Sequence, residues 1–186
     1  MQTLAVWAQQ GGESLENETL FTSQKFHVER LNHVTSDGTS LAKDVVRHPG
    51  SVAILPLLAD GRICLIRNHR VTVGQTLIEL PAGTMEPPEP PLECAHRELI
   101  EETGYRAGEL QLLGSFLPAP GILDEEMHLF IATGLQAGDP AREPGEEIEN
   151  YLVSFAEAKQ MILDGRIRDA KTIVGVLMYE DRQKNR

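Results

Sequence analysis

The stretch GTMEPPEPPLECAHRELIEETGY, Gly83 to Tyr105, sets a glycine and a proline-rich loop before a short segment with four glutamates and an arginine. Pro91 suits the first turn of a helix, where its missing N–H costs nothing, and Gly104 suits the end. Between them Leu92, Ala95 and Leu99 recur at three- and four-residue steps, so the spacing predicts a helix from Pro91 to Thr103. At about 100° per residue, Glu98, Glu101 and Glu102 share one side, and Leu92, Ala95, Leu99 and Thr103 centre about a quarter-turn away. Like charges at this spacing repel by a few tenths of a kcal/mol per pair. Glu101 and Glu102 also fall in the last turn, where the helix dipole disfavours anions. Helix stability therefore does not account for them. Two readings fit: a solvated acidic face, or a site for a hard cation such as Mg2+, which takes oxygen ligands and keeps waters and substrate phosphates in its shell.

Outward from this helix, the chain reads mostly as strands. LFTSQKFHVERLNHV and TSLAKDVVRHP, joined by SDG, predict a hairpin or short meander with Asp37-Gly38 in the turn. SVAILPLL and RICLIRNHR are apolar, β-branched runs with a second hairpin turn expected at Asp60-Gly61, and TLIELPAG is a short strand halted by Pro81 and Gly83. ELQLLGSFL, MHLFIATGL and YLVSF are further strands; PAPGILDEE and DPAREPGEEIEN are loops. FAEAKQMILDG and DAKTIVGVLMYEDRQKNR read as two closing helices. The order predicts an α+β layered fold with a mixed sheet.

The 186 residues suit one domain of ordinary size with a small N-terminal β subdomain, residues 1–45, before a main domain over 46–186; the first 20 or so residues read as an arm or edge strand. A net charge of -11 argues against binding to nucleic acid, while leaving a nucleotide-sized substrate open. Cys64 and Cys94 are far apart in apolar surroundings, which predicts two reduced, buried thiols. No basic N-terminal region leads into a long apolar run, so neither secretion nor membrane spanning is expected and cytoplasm is the default.

The opening stretch resembles the Nudix box: Gly, five residues, Glu, seven residues, Arg-Glu, an apolar residue, any residue, Glu-Glu, any residue, Gly and an apolar residue. Gly83, Glu89, Arg97-Glu98, Leu99, Glu101-Glu102, Gly104 and Tyr105 fill every position. The resemblance implies an α/β/α sandwich and a Mg2+-dependent hydrolase, with Mn2+ an alternative ion. It implies Glu98, Glu101 and Glu102 as metal ligands, joined by the backbone carbonyl of Ala82, with Glu102 and Arg97 counted in the catalytic set. Glu89 and Arg97 would pair internally, the arginine orienting the loop and the helix acids. Gly83 would permit a backbone conformation or a close approach that a side chain would block.

The flanks HPGSVAILPLL, CLIRNHR, LIELPAG, APGILDEEMHLFIATGL and DAKTI resemble the branch that hydrolyses ADP-ribose and other nucleoside diphosphate sugars, as does Pro120, sixteen residues past Gly104. The resemblance implies a homodimer whose N-terminal subdomain helps form the nucleotide pocket. Arg70 would grip the diphosphate and Arg47 contact substrate, both suited by the fixed donor fork of guanidinium. Glu125 would meet the terminal ribose or a metal-bound water, with Asp124 and Glu126 merely solvating their loop. Phe26 is placed to stack on the base or to serve as a core strand residue; Trp7 could reach a pocket or a dimer seam. In REPGEEIENYLV, Glu146, Glu147 and Glu149 compete for the catalytic base, with Glu147 first and Glu149 second. ADP-ribose is the first expectation for the substrate. The alternatives are another nucleoside diphosphate sugar such as GDP-mannose, and a non-catalytic nucleotide sensor.

Overall fold

Every residue from Ser51 to Pro56 is buried, which a strand achieves only where both faces of its sheet are covered. The computed structural model, which describes residues 17–142 and 147–185, shows what covers them. The strands are β1 (Glu18–Thr22), β2 (His27–Val34), β3 (Ser40–Arg47), β4 (Ser51–Pro56), β5 (Arg62–Arg70), β6 (Gln75–Glu79), β7 (Ala82–Thr84), β8 (Glu109–Phe116), β9 (Met127–Thr133) and β10 (Ile148–Ser154). The helices are α1 (Pro91–Thr103), α2 (Phe155–Leu163) and α3 (Ala170–Lys184). One compact unit comprises the described residues up to His48 with Ala119–Asp124, and the other comprises Pro49–Pro118 with Glu125 onward. Of the segment expected as an arm or edge strand, residues 1–16 with Trp7 lie outside the described residues, while Glu18–Thr22 form strand β1.

In the first unit β1, β2 and β3 form an antiparallel sheet. The β2–β3 turn closes at Asp37-Gly38, with the Asp37 carboxylate accepting from the Thr35 hydroxyl and the Thr39 amide. The segment 119–124 joins this unit through Val46, whose amide donates to the Ile122 carbonyl.

The second unit holds the mixed sheet β7-β4-β9-β8, in which β4 and β9 run parallel and the other pairs antiparallel. Alternation along β4 and β9 serves two cores. Val52, Ile54, Phe130 and Ala132 pack with Cys94, Ala95 and Leu99 of α1. Ala53, Leu55, Leu129 and Ile131 pack with Ala158 and Met161 of α2 and Val176 and Tyr179 of α3. Helices thus cover both faces, giving the expected α+β fold in its α/β/α sandwich form. A second sheet, β10-β5-β6, is antiparallel throughout.

Several local expectations are corrected. The turn at Asp60-Gly61 closes, with the Leu58 amide donating to the Arg62 carbonyl and Leu57 bridging Ile63, but β4 and β5 then enter different sheets, because each is buried on both faces and needs neighbours of its own. Gly83 does not halt a strand; it lies within β7. Leu92 is 47% exposed, and Cys94 takes the buried place on α1 instead. β10 begins at Ile148, so Glu149 is a strand residue rather than part of a loop. Cys64 and Cys94 are free and buried as expected, and burial pushes each thiol up to about 12.

Candidate active site

α1 occupies the predicted span, with Pro91 in its first turn and Gly104 ending it in the left-handed region at φ 77°. The Gly104 amide closes the last turn on Ile100, and a side chain here would be strained. No basic residue lies in the last turn of α1. Its final carbonyls are met from elsewhere: the Ala141 amide donates to Glu101 at 3.0 Å, Arg142 Nε to Glu102 at 3.2 Å, and Asn150 Nδ2 to Thr103 at 2.8 Å. Arg142 also brings the positive charge that offsets the dipole beside Glu101 and Glu102.

The acidic side of α1 is far from a solvated fringe, since Glu98 and Glu102 are buried. Arg97 forks onto Glu89 through Nε at 2.9 Å and Nη2 at 2.8 Å, while its Nη1 donates to Glu98 at 2.6 Å and Glu101 at 2.9 Å. One guanidinium thereby spans the loop and two helix carboxylates. These Arg97 hydrogen bonds hold the Glu89 carboxyl down at about 2, and the same pairing raises the Arg97 pKa. Glu102 Oε2 accepts from the Ala82 amide at 2.9 Å. The need for Gly83 is one of space: a Cβ there would sit 1.9 Å from the Glu98 carboxyl.

Among the described residues no group of three or more His, Cys, Asp or Glu is already spaced to hold a metal ion. The donor set itself fits a hard cation: three carboxylates on one helix, the Glu98 carboxyl pressed against the backbone at Gly83, and the strand bearing Ala82 tied to Glu102.

Arg70, at the end of β5, grips Glu79 at the end of β6 through Nε at 2.9 Å and Nη2 at 2.7 Å. Glu79 is 1% exposed and also receives Lys171 Nζ from α3. Burial pushes the Glu79 carboxyl up, but the Arg70 hydrogen bonds and the Lys171 charge outweigh it and hold it below its ordinary value. The Arg70 pKa is raised chiefly by those bonds, with the Glu102 charge among those adding to it. Neither Glu79 nor Lys171 was singled out from the sequence. An acid inside the apolar run LIEL, and the lysine of DAKTI, were the available signals, but they lie 92 residues apart.

Arg47 and Phe26 belong to the first unit. Arg47 bonds Glu29 at 2.8 Å and Asp124 at 2.9 Å, and Asp124 also accepts from the His48 amide, so Asp124 does more than solvate its loop. Phe26 precedes β2 and is 39% exposed, so it is not a core strand residue; its ring lies 6.1 Å from that of Phe21. Glu125, in the second unit, accepts from the buried Ser51 hydroxyl at 2.5 Å.

Glu149 lies opposite Arg67, 3.4 Å from its guanidinium, on the β10 face that also carries Tyr151. Asn150, on the other face, is the residue that reaches α1. Alternation along the strand therefore turns Glu149 away from the helix acids. Glu147 is exposed just before β10, its carbonyl accepting from the His69 amide at 3.4 Å beside Arg70. Glu146 lies outside the described residues.

A fold with helices on both faces of a mixed sheet, and a glycine-led loop and helix with this spacing of acids, define a class that the comparisons identify: a family model described as the NUDIX domain matches residues 47–174, and the chain belongs to that family. It is 33% identical over 172 residues to a methanol dehydrogenase activator of Bacillus methanolicus, covering 89% of this chain and 93% of that protein. It is also 33% identical over 171 residues to an ADP-ribose pyrophosphatase of Bacillus subtilis, covering 88% and 92%. A GDP-mannose pyrophosphatase of Escherichia coli is 34% identical over 162 residues, covering 77% and 84%. The crystal structure of an ADP compounds hydrolase superposes with a TM-score of 0.83 at 23% identity, covering 95% of this chain and 96% of that one, a likeness of fold. No helix among the described residues is long and apolar enough to cross a membrane.

Proposed function

We propose that this chain is a Nudix pyrophosphatase that hydrolyses ADP-ribose to AMP and ribose 5-phosphate with Mg2+ or Mn2+. The observation that carries the reading is the gathering of Glu98, Glu101 and Glu102 along one side of α1, against the backbone of β7 and beneath a single arginine. Like charges held this close by design of the loop, rather than spread into solvent, suit a cation that bridges to a diphosphate. When bound there, a divalent ion supplies Lewis acidity and charge neutralisation to the phosphates.

The chain's own residues divide the remaining work. Glu98, Glu101 and Glu102, with the Ala82 carbonyl, would hold the ion, while Arg97 keeps their carboxylates aligned with the loop. Arg70 offers a guanidinium edge to the diphosphate. Glu147, the described glutamate of its loop that lies outside a strand, takes a proton from the attacking water. Glu125 addresses the terminal ribose or a metal-bound water, Arg47 contacts the substrate near the subunit boundary, and Phe26, exposed, stacks on the base, a contact worth about 1–3 kcal/mol. A second copy of the chain completes the assembly over the first unit, whose small sheet leaves Leu20, Phe21, Phe26 and Leu41 exposed.

The E. coli likeness favours GDP-mannose as a second reading of the substrate. A panel of nucleoside diphosphate sugars assayed with Mg2+ separates the two: ADP-ribose is expected to show the highest kcat/KM, and a clear excess for GDP-mannose would reverse the choice. Absence of any product in a single-turnover assay would instead support a nucleotide-binding sensor.

A further inference from the structure

The segment DAKTI opens α3 far from the helix acids in sequence, yet its first turn takes hold of Glu79, the last residue of β6, and of Leu80 just beyond it. Lys171 Nζ bonds the Glu79 carboxylate. The Leu80 amide donates to Thr172 Oγ1 at 2.7 Å, and that hydroxyl donates on to Asp169 at 2.5 Å. Asp169 also pairs with Lys171 at 3.0 Å. Thr172 is fully buried and Lys171 is 9% exposed. Two residues beyond Leu80 comes Ala82, whose amide holds Glu102.

A purely structural ion pair would use up its donors. Here the Arg70 guanidinium is clamped along one edge, Nε and Nη2, while Nη1 makes no hydrogen bond to the described residues and the side chain stays 38% exposed. Glu79 is shared between Arg70 and Lys171, and Lys171 in turn is held by Asp169, so the carboxylate that orients Arg70 is itself fixed from α3. The clamp therefore fixes the direction of the guanidinium while leaving its Nη1 uncommitted among the described residues. We propose that Lys171 is a positioning residue that acts through Glu79 to aim Arg70 at the diphosphate of the substrate. This deepens the functional reading above and rests on its assignment of Arg70.

The test is a double-mutant cycle on the full chain with ADP-ribose, Mg2+ and thermal midpoints followed in parallel. Lys171→Met leaves Glu79 paired with Arg70, so the fold is expected to persist; if it does not, Lys171→Gln, which can still donate to Glu79, replaces it. Lys171→Met should lower kcat/KM by about tenfold, chiefly through KM, because it weakens anion binding while the helix acids stay in place. In the Arg70→Ala background, where Lys171→Met would leave the buried Glu79 carboxylate without a cation, Glu79→Gln is introduced with it, and kcat/KM should then change less than about twofold against Arg70→Ala alone, since the route of action is already gone. Effects that multiply, or a Lys171→Met enzyme with wild-type kcat/KM, would overturn the positioning role while leaving Arg70 as a diphosphate ligand. Wild-type kcat/KM for Arg70→Ala would remove that ligand and the positioning role together.

Discussion

At the scale of single residues, the site depends on charges that are held before any substrate arrives. Glu102→Gln keeps an acceptor for the Ala82 amide but removes one negative charge from the proposed ligand set. We expect kcat to fall by about a hundredfold or more, with a thermal midpoint close to wild type; near-normal turnover would show that the carboxylate is dispensable. Glu89 gives a pH prediction whose sign follows from its depression from 4.5 to about 2. A carboxyl with a lowered folded-state pKa contributes stability that is complete above its unfolded value and is lost as pH falls toward the folded one. Denaturation midpoints should therefore drop between about pH 4.5 and 2, and Glu89→Gln should flatten that limb; an unchanged slope would contradict the pairing with Arg97.

At the scale of elements, α1 was the most legible part of the molecule. Proline at its start and glycine at its end are local signals, and its bounds match the spacing; Leu99 is fully buried as its periodicity required. Leu99→Ala should cost about 2–5 kcal/mol in chemical denaturation, as lost burial adds to the cavity left behind. Strand existence was equally readable from apolar runs and turn residues, whereas strand partnership was not. The turn at Asp60-Gly61 predicts local pairing, but β4 finds β7 and β9, and β5 finds β6 and β10, because pairing is decided by the burial of both faces. The same limit hid the Arg142 and Asn150 contacts with the end of α1, since neither residue carries a local mark of that role. Asn150→Ala removes the donor to the buried Thr103 and should destabilise the protein by about 1–3 kcal/mol. A change within error would mean that water serves that carbonyl equally well.

At the scale of the whole molecule, the box residues could be read as a ligand set because they are contiguous, while Glu79 and Lys171 had to be brought together by the fold. The loop proposed to carry the base was the least legible part: three glutamates compete there, counting back from the strand favours Glu147 over Glu149, and the register of β10 sets Glu149 opposite Arg67. The exposed apolar residues of the first unit lead to a prediction about assembly. Sedimentation of the full chain should give a dimer, and removal of residues 1–45 a monomer with a raised KM; an unaffected monomeric enzyme would end the idea of a shared pocket.

The central claim is that the acids of α1 hold a divalent ion against a nucleoside diphosphate. Its most direct test is to follow ADP-ribose by phosphorus NMR with the wild-type chain, first with Mg2+ and then with excess EDTA. The account predicts conversion to AMP and ribose 5-phosphate in the first sample, none in the second, and recovery when Mg2+ is restored. Equal conversion with the ion chelated would contradict it.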